Sequence, residues 1–406
     1  MRITYLHQYF NTPEMSGGTR SYEMARRLVA MGHEVNMVTS WREEGDERDW
    51  YETEEAGIRV HWLPVPYSNH MSYSERMRAF VRFAWQAARK AASIPADVVF
   101  ATSTPLTIAL PGAYAARKQK VPLVFEVRDL WPDVPIALGA LRGSASRYIA
   151  YQLESFAYRS SKNIVALTPT MRDFISGKRV PLEKISVIPN GADIDYAENA
   201  LSEAGDDGGS NLGKKQLLYC GGLGPAHGPE YLLDLARELN RQALRVEVLV
   251  VGDGKLRRNL EGTAEREGIL NVTIRFIGNV PREKVFQYYA MADASIMTMA
   301  PTEILYRHSV QNKFFDSLAA GRPVFSNYRG WASEIAEIEG AGEILPRDDV
   351  PLAARILHDR LTDADWISAR GEAAYHLAKN RFSRDDLAVQ LEHVLQDAVT
   401  AGGKGA

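Results

Sequence analysis

Residues 217–236 read LLYCGGLGPAHGPEYLLDLA. The apolar run 216–220 predicts a buried strand, Gly221, Gly222 and Gly224 predict a turn, and 229–240 repeats apolar residues at helical spacing. The same order continues downstream. Residues 246–251 predict a strand, Gly252-Asp253-Gly254 a turn, and 255–267 a helix. Strands at 273–277, 294–298 and 323–325 alternate with helices at 282–290 and 312–320, the last closed by Gly321. Upstream, strand 2–9 runs through Ser16-Gly17-Gly18-Thr19 into helix 20–31, which Gly32 ends before strand 35–39. Strands at 97–101 and 122–127 flank helix 106–118, and 163–167 and 185–188 complete that half. Alternating strands and helices build parallel sheets, so the fold class is α/β, with two similar halves.

The chain has 406 residues, 45% of them apolar and 24% charged, enough for two buried cores. We expect an N-terminal domain over 1–200 and a C-terminal domain over 214–380. Between them, ENALSEAGDDGGSNLGKK (198–215) is acidic and rich in Gly and Ser, as a linker would be. A last helix within 383–400 is expected to pack back on the first domain. Lys and Arg (48) nearly balance Asp and Glu (51), which excludes a strongly basic nucleic-acid binder. The single cysteine, Cys220, excludes an internal disulfide and a Cys-rich zinc site. The start MRITYLHQYF is too short and polar for a signal peptide, and no apolar run approaches the roughly 18 residues of a membrane span. The expected location is cytoplasmic.

Each half opens on a glycine turn between its first strand and first helix. Such a turn lets the backbone approach a phosphate at a helix N-terminus. Gly17-Gly18, with Arg20 close behind, forms the first, and the run from Gly221 to Gly228 the second. Neither is a P-loop, and His227 stands where a G-x-G-x-x-G motif needs its last glycine. Each could be a tight turn and nothing more. Facing one another across a cleft they would suit a diphosphate.

In GGTRSYEMARRLVAMGHEV (17–35), VIPNGADID (187–195), LVVGDGKLRRNLE (249–261), IRFIGNVPREKVFQYYAMADASIM (274–297) and NKFFDSLAAGRPV (312–324), together with 217–236, the chain resembles a GT-B glycosyltransferase of the large retaining family 4. The stretch EVRDLWPDVPIALGAL (126–141) resembles the bacterial branch that includes fucosamine transferases of surface-polysaccharide assembly. The resemblance implies two Rossmann-like domains whose parallel sheets face a central cleft. It implies a retaining transfer from a nucleotide-sugar, most simply a UDP-sugar, to a glycan or a polyprenyl-diphosphate-linked acceptor, without a protein nucleophile. The donor would sit on the C-terminal domain and the acceptor on the N-terminal one.

The second acid of the family's E-x7-E motif falls at Asp316, where it would accept the ribose hydroxyls. The first falls at His308, which is no acid; Glu303 is a weaker stand-in. Where relatives carry an arginine and a lysine for the diphosphate, this chain has Gly222 and His227, so Lys313 and Arg20 are expected to replace that charge. Arg128, Asp129 and Lys313 are the expected catalytic residues. Gly17, Gly18, Arg20, Gly222, Leu223, His227, Gly252, Gly254, Gly278, Asn279, Val280, His308, Asn312, Lys313 and Asp316 are expected around the donor. His7 could reach the cleft or serve packing; Trp131 and Trp331 read as packing residues. No metal-binding constellation stands in a donor loop, so neither a metal nor another cofactor is expected. Alternatives are a GT-B-fold nucleotide-sugar epimerase, an exported sugar-binding protein, against which the missing signal segment counts, and a scaffold that has lost activity.

RMRAFVRFAWQAARK (76–90) winds into a basic amphipathic helix. Met77, Phe80, Val81, Phe83, Ala84, Trp85 and Ala88 lie on one arc and Arg78, Arg82, Arg89 and Lys90 on the other, with Arg76 misplaced. It could dock on an anionic membrane or pack on its own domain. Peripheral contact with the inner face of the cell membrane is the expectation we carry forward; no nucleic-acid partner is expected.

Overall fold

In a computed structural model that describes residues 1–402 apart from 16, 44, 46, 68–70 and 205–212, the strands gather into two sheets, one per half. The first sheet contains β1 (Arg2–Leu6), β2 (Glu34–Trp41), β3 (Tyr51–Glu55), β4 (Ile58–Pro64), β5 (Val98–Thr102), β6 (Leu123–Val127), β7 (Asn163–Ala166) and β8 (Ile185–Val187). Its order is β3-β4-β2-β1-β5-β6-β7-β8, parallel except for β3. The second contains β9 (Lys215–Cys220), β10 (Val246–Val251), β11 (Ile274–Gly278), β12 (Ala294–Met297), β13 (Val324–Ser326) and β14 (Gly342–Ile344). It runs β11-β10-β9-β12-β13-β14, parallel throughout. Val98, Val99 and Phe100 on β5 and Leu217, Leu218 and Tyr219 on β9 are fully buried, because helices cover both faces of each sheet. In each sheet the strand order reverses beside the first strand, between β1 and β5 and between β9 and β12. Open α/β sheets bind their ligands at the carboxyl ends of such strands.

The antiparallel pair β3–β4 escaped the sequence reading. Its two-residue turn, Ala56-Gly57, needs positive φ at both positions (50° and 78°), and the strand before it, YETEE, is too polar to announce itself.

The linker expected at 198–215 is partly helix. Residues Ile194–Ala204 form a helix that packs on helix Arg282–Met291, with the Tyr196 and Phe286 ring centres 5.5 Å apart; the rest, 205–212, lies outside the described residues. The two compact units meet in sequence at Pro189 and Asn190, so 190–200, expected in the first domain, group with the second. The last helix, Arg384–Gly402, has Asp385 onward in the first unit. There Glu392 takes His33 at 2.7 Å and Asp385 takes Arg27 at 2.5 Å.

Candidate active site

In the second unit, the turns after β9, β10 and β11 interlock. The Gly221 N–H donates to Val251 O at 2.8 Å, and the Gly252 N–H to Gly278 O at 2.8 Å. A Cβ on Gly252 would lie 2.0 Å from Gly221 O, which is why no side chain is admissible there. Gly222, Gly254 and Asn279 are exposed on these turns, and Val280 is half-buried. Leu223 corrects an expectation. Its side chain is in the core, and its N–H is already given to Asp253 O at 2.9 Å, leaving nothing to offer a ligand.

Lys313 opens helix Asn312–Ala319, yet it is only 7% exposed. Its Nζ stands 3.3 Å from the centre of the Tyr219 ring and has no hydrogen-bond acceptor. A Cβ on Gly221 would come within 3.0 Å of that Nζ, so the lysine reaches the glycine turn itself. Burial drives its pKa down to about 7 from an ordinary 10.5. A buried ammonium held only by an aromatic face is short of an anion. Lys313 thus stands at the turn that holds Gly222 and His227.

Asp316 lies one turn further along the same helix, 6% exposed. Both its oxygens accept from Arg282, at 2.6 and 2.7 Å, a bidentate pair that holds the carboxylate in place. Burial works against the Arg282 charge, but Asp316 outweighs it and raises the arginine's pKa. Arg282 also approaches Asp193 at 3.9 Å, which Arg384 holds at 2.9 Å. Arg282 had no signal in the sequence, since a helix-start arginine is ordinarily solvated.

His227 is neutral: burial, then the Lys313 charge, brings its pKa to about 4. Gln311 Nε2 donates to Thr298 O at 2.9 Å and lies 3.2 Å from His227 Nδ1. A carbonyl can only accept, so the amide nitrogen must face it, and its second N–H meets Nδ1. The imidazole proton then sits on Nε2, which faces Gly222; a Cβ there would be 3.5 Å away. His227 thus acts as an uncharged donor. His308 and Asn312 stand at either end of the preceding loop, half-buried and exposed, while Glu303 is exposed and paired with Arg307.

In the first unit Arg20 overturns its expected role. It is 2% exposed, its guanidinium donating to Glu126 at 2.8 and 3.0 Å and to the carbonyls of Ile188 and Pro189. It is a core brace joining the first helix to β6 and to the chain beyond β8. Gly17 and Gly18 keep a turn that Asn11 closes, its Nδ2 donating to Gly18 O at 3.2 Å. At the carboxyl ends of β1, β5 and β6, Arg128 Nη1 lies 3.4 Å from His7 Nε2, and Thr104 Oγ1 donates to Asp129 at 3.0 Å. Arg128 and Asp129 are half-buried and belong to this unit, whereas Lys313 belongs to the other. Burial, followed by the charges of Arg128 and Arg42, holds His7 well below its ordinary pKa.

Comparison with known proteins agrees with this architecture. Residues 17–191 match the glycosyl transferase 4-like domain and 214–363 match glycosyl transferases group 1. The colanic acid biosynthesis glycosyl transferase WcaI of Escherichia coli is 24% identical over 64% of this chain and 68% of its own. A GDP-mannose-dependent α-(1-6)-phosphatidylinositol monomannoside mannosyltransferase of Mycobacterium tuberculosis is 23% identical over 95% of this chain and 96% of its own. Among solved structures, the sucrose-phosphate synthase of Thermosynechococcus elongatus superposes with a TM-score of 0.78 at 16% identity, covering 98% and 99% of the two chains. WaaG, a glycosyltransferase involved in lipopolysaccharide biosynthesis, does so at 0.69 and 19%, covering 97% and 99%. The two domain matches together take in most of the sequence, and this chain belongs to the GT-B glycosyltransferases, with a family 4-like domain followed by a group 1 domain.

Proposed function

We propose that this enzyme moves a sugar, with retention, from a UDP-sugar to a glycan or polyprenyl-diphosphate-linked acceptor of bacterial surface-polysaccharide synthesis. The observation that carries the donor half is the buried, anion-deficient Lys313 ammonium at the Gly221 turn. In this reading the ammonium and the His227 Nε2–H oppose charge growing on the leaving diphosphate, with no metal required. The departing phosphate helps deprotonate the acceptor hydroxyl. Arg128 and Asp129 act on the acceptor from the first unit.

Membrane contact belongs to the same proposal. Among the described residues no helix is long and apolar enough to cross a membrane. Helix Tyr73–Ser93 divides its apolar arc: Phe83, Ala84 and Ala87 are buried in their own unit, while Val81 and Trp85 remain about 60% exposed beside Arg78, Arg82 and Arg89. The neighbouring helices expose Leu110 and Tyr114, then Tyr148 and Ile149. Insertion of these rings among anionic headgroups fits an enzyme whose acceptor is a lipid.

The test is a panel of UDP-, GDP- and ADP-sugars with a prenyl-diphosphate-linked acceptor, read by mass spectrometry. Transfer from a UDP-sugar, with the anomeric configuration kept, is expected. Turnover without acceptor, transfer only from a GDP-sugar, or no nucleotide binding overturns the reading.

A further inference from the structure

Arg76 breaks the amphipathic pattern of its helix, and its surroundings explain why. It is half-buried, and its Nε is shut off from solvent without a hydrogen-bond partner. Instead of joining the exposed basic face, its charge is felt at Tyr9, in the segment leaving β1. The Tyr9 ring packs on Tyr67 with centres 4.8 Å apart, and Phe80 closes on both at 6.4 and 6.0 Å. The Arg42 guanidinium lies 6.0 Å from the Tyr9 ring centre and donates to Asn11. Tyr67 N–H in turn donates to Arg42 O at 3.0 Å, tying the ends of β4 and β2 together. His7, two residues before Tyr9, meets Arg128 and is only 3% exposed, and its Nδ1 has no partner.

Arg42 and Arg76 thus act on Tyr9, and Arg42 and Arg128 on His7, two residues that follow β1 at the carboxyl edge of the sheet, where ligands bind. Glu43 exerts a weak pull on Arg42, and Asp129 is engaged by Thr104. Among the described residues none of the three arginines has a carboxylate within ion-pair distance, unlike the buried Arg20 and the half-buried Arg282, which are paired. Concentrated positive charge of this kind costs stability unless an anion arrives to meet it.

We propose that Arg42, Arg76 and Arg128 form a cradle for an anionic group of the acceptor, a phosphate or diphosphate, with Tyr9, Tyr67 and Phe80 as the apolar wall beside it. The inference rests on the acceptor half of the proposed function. It adds that this half of the enzyme reads the charge of its acceptor.

Calorimetric titration of inorganic pyrophosphate into the Lys313→Met protein, which lacks the cation at the donor turn, isolates the cradle. Binding is expected, at least tenfold weaker when Arg42→Gln or Arg76→Gln is added, and partly restored by Arg76→Lys. Equal binding with and without the arginines, or none to Lys313→Met, overturns the cradle. UDP binding to the unmodified protein reads the donor site separately, so either reading can fail alone. Geranyl diphosphate and glucose 1-phosphate, titrated the same way, assign the source. Tighter binding of the first names a lipid carrier and of the second a soluble sugar phosphate, each with the same dependence on Arg76.

Discussion

The Lys313 ammonium rests 3.3 Å from the centre of the Tyr219 ring, on the strand that leads into the glycine turn, and no oxygen accepts from it. Its folded pKa, about 7, lies below the 10.5 of an ordinary lysine. Between these values the unfolded chain holds a proton that the folded chain lacks. Stability from this group therefore rises with pH across the window, and below about pH 7 its full penalty applies. Lys313→Met is expected to raise the unfolding temperature at pH 6 and to change it less at pH 9. In the same protein UDP should bind at least tenfold more weakly, about 1.4 kcal/mol. In the unmodified enzyme, UDP affinity should fall as pH climbs above about 7, with proton uptake visible as buffer-dependent binding heat. A melting temperature that drops equally at both pH values would assign the lysine to packing.

Asp316 and Arg282 separate structure from donor binding on the same helix. Asp316→Ala takes from the half-buried Arg282 its bidentate partner and leaves Asp193 at 3.9 Å, so the cost should fall below the roughly 3–5 kcal/mol of a fully buried pair. Thermal or denaturant unfolding should register that loss, and UDP affinity of the folded fraction should change by less than threefold. Selective loss of UDP affinity with stability intact would return Asp316 to the ribose.

Arg20 is expected to behave in the same way. Glu126 keeps its charge despite complete burial because Arg20 faces it, with Thr102 donating as well. Glu126→Gln should destabilise the first unit by roughly 3–5 kcal/mol, and Arg20→Met with Glu126→Leu should recover much of it. Equilibrium unfolding of the single and double variants gives the comparison; a double variant as unstable as the single one would contradict the brace.

These cases mark where the sequence could be read and where it could not. The alternation of strands and glycine turns was legible, because period and turn chemistry are local. Lys313 could be singled out too, since a lysine at a helix start is ordinarily solvated and this chain lacks the cations its relatives carry; its burial could not. The ring that faces it, Tyr219, was not legible, because residues almost a hundred positions apart meet only through the order of the sheet. The ion pairs of Arg20 and Asp316 were not legible for one reason: a charged residue near a phosphate-type turn looks the same whether it faces a ligand or a protein partner. Their partners, Glu126 and Arg282, sit in stretches that read as plain strand and plain helix.

The exposed face of helix Tyr73–Ser93 predicts vesicle binding. Arg89 covers the outward Trp85 ring at 4.6 Å, so lipid insertion must displace it and should shift the tryptophan emission. Reversing Arg78, Arg82 and Arg89 to Glu should abolish sedimentation with vesicles rich in phosphatidylglycerol while leaving binding of UDP intact. Unchanged sedimentation would show that this face is simply solvated.

Gln311 offers the sharpest test of how the turn is tuned. It accounts for the His227 proton by spending one N–H on Thr298 O and the other on Nδ1. Gln311→Glu inverts that arrangement: a carboxylate accepts from Nδ1–H and favours the imidazolium. The His227 pKa should rise from its value of about 4, and the ring should leave the Nε2–H tautomer, both visible in nitrogen-15 spectra of the imidazole. Because the variant puts a second cation at the turn at low pH, UDP should bind it more tightly at pH 6 than at pH 8, by a larger ratio than in the unmodified enzyme. A histidine that keeps its tautomer in Gln311→Glu would mean that burial alone sets its state and that the amide merely fills space.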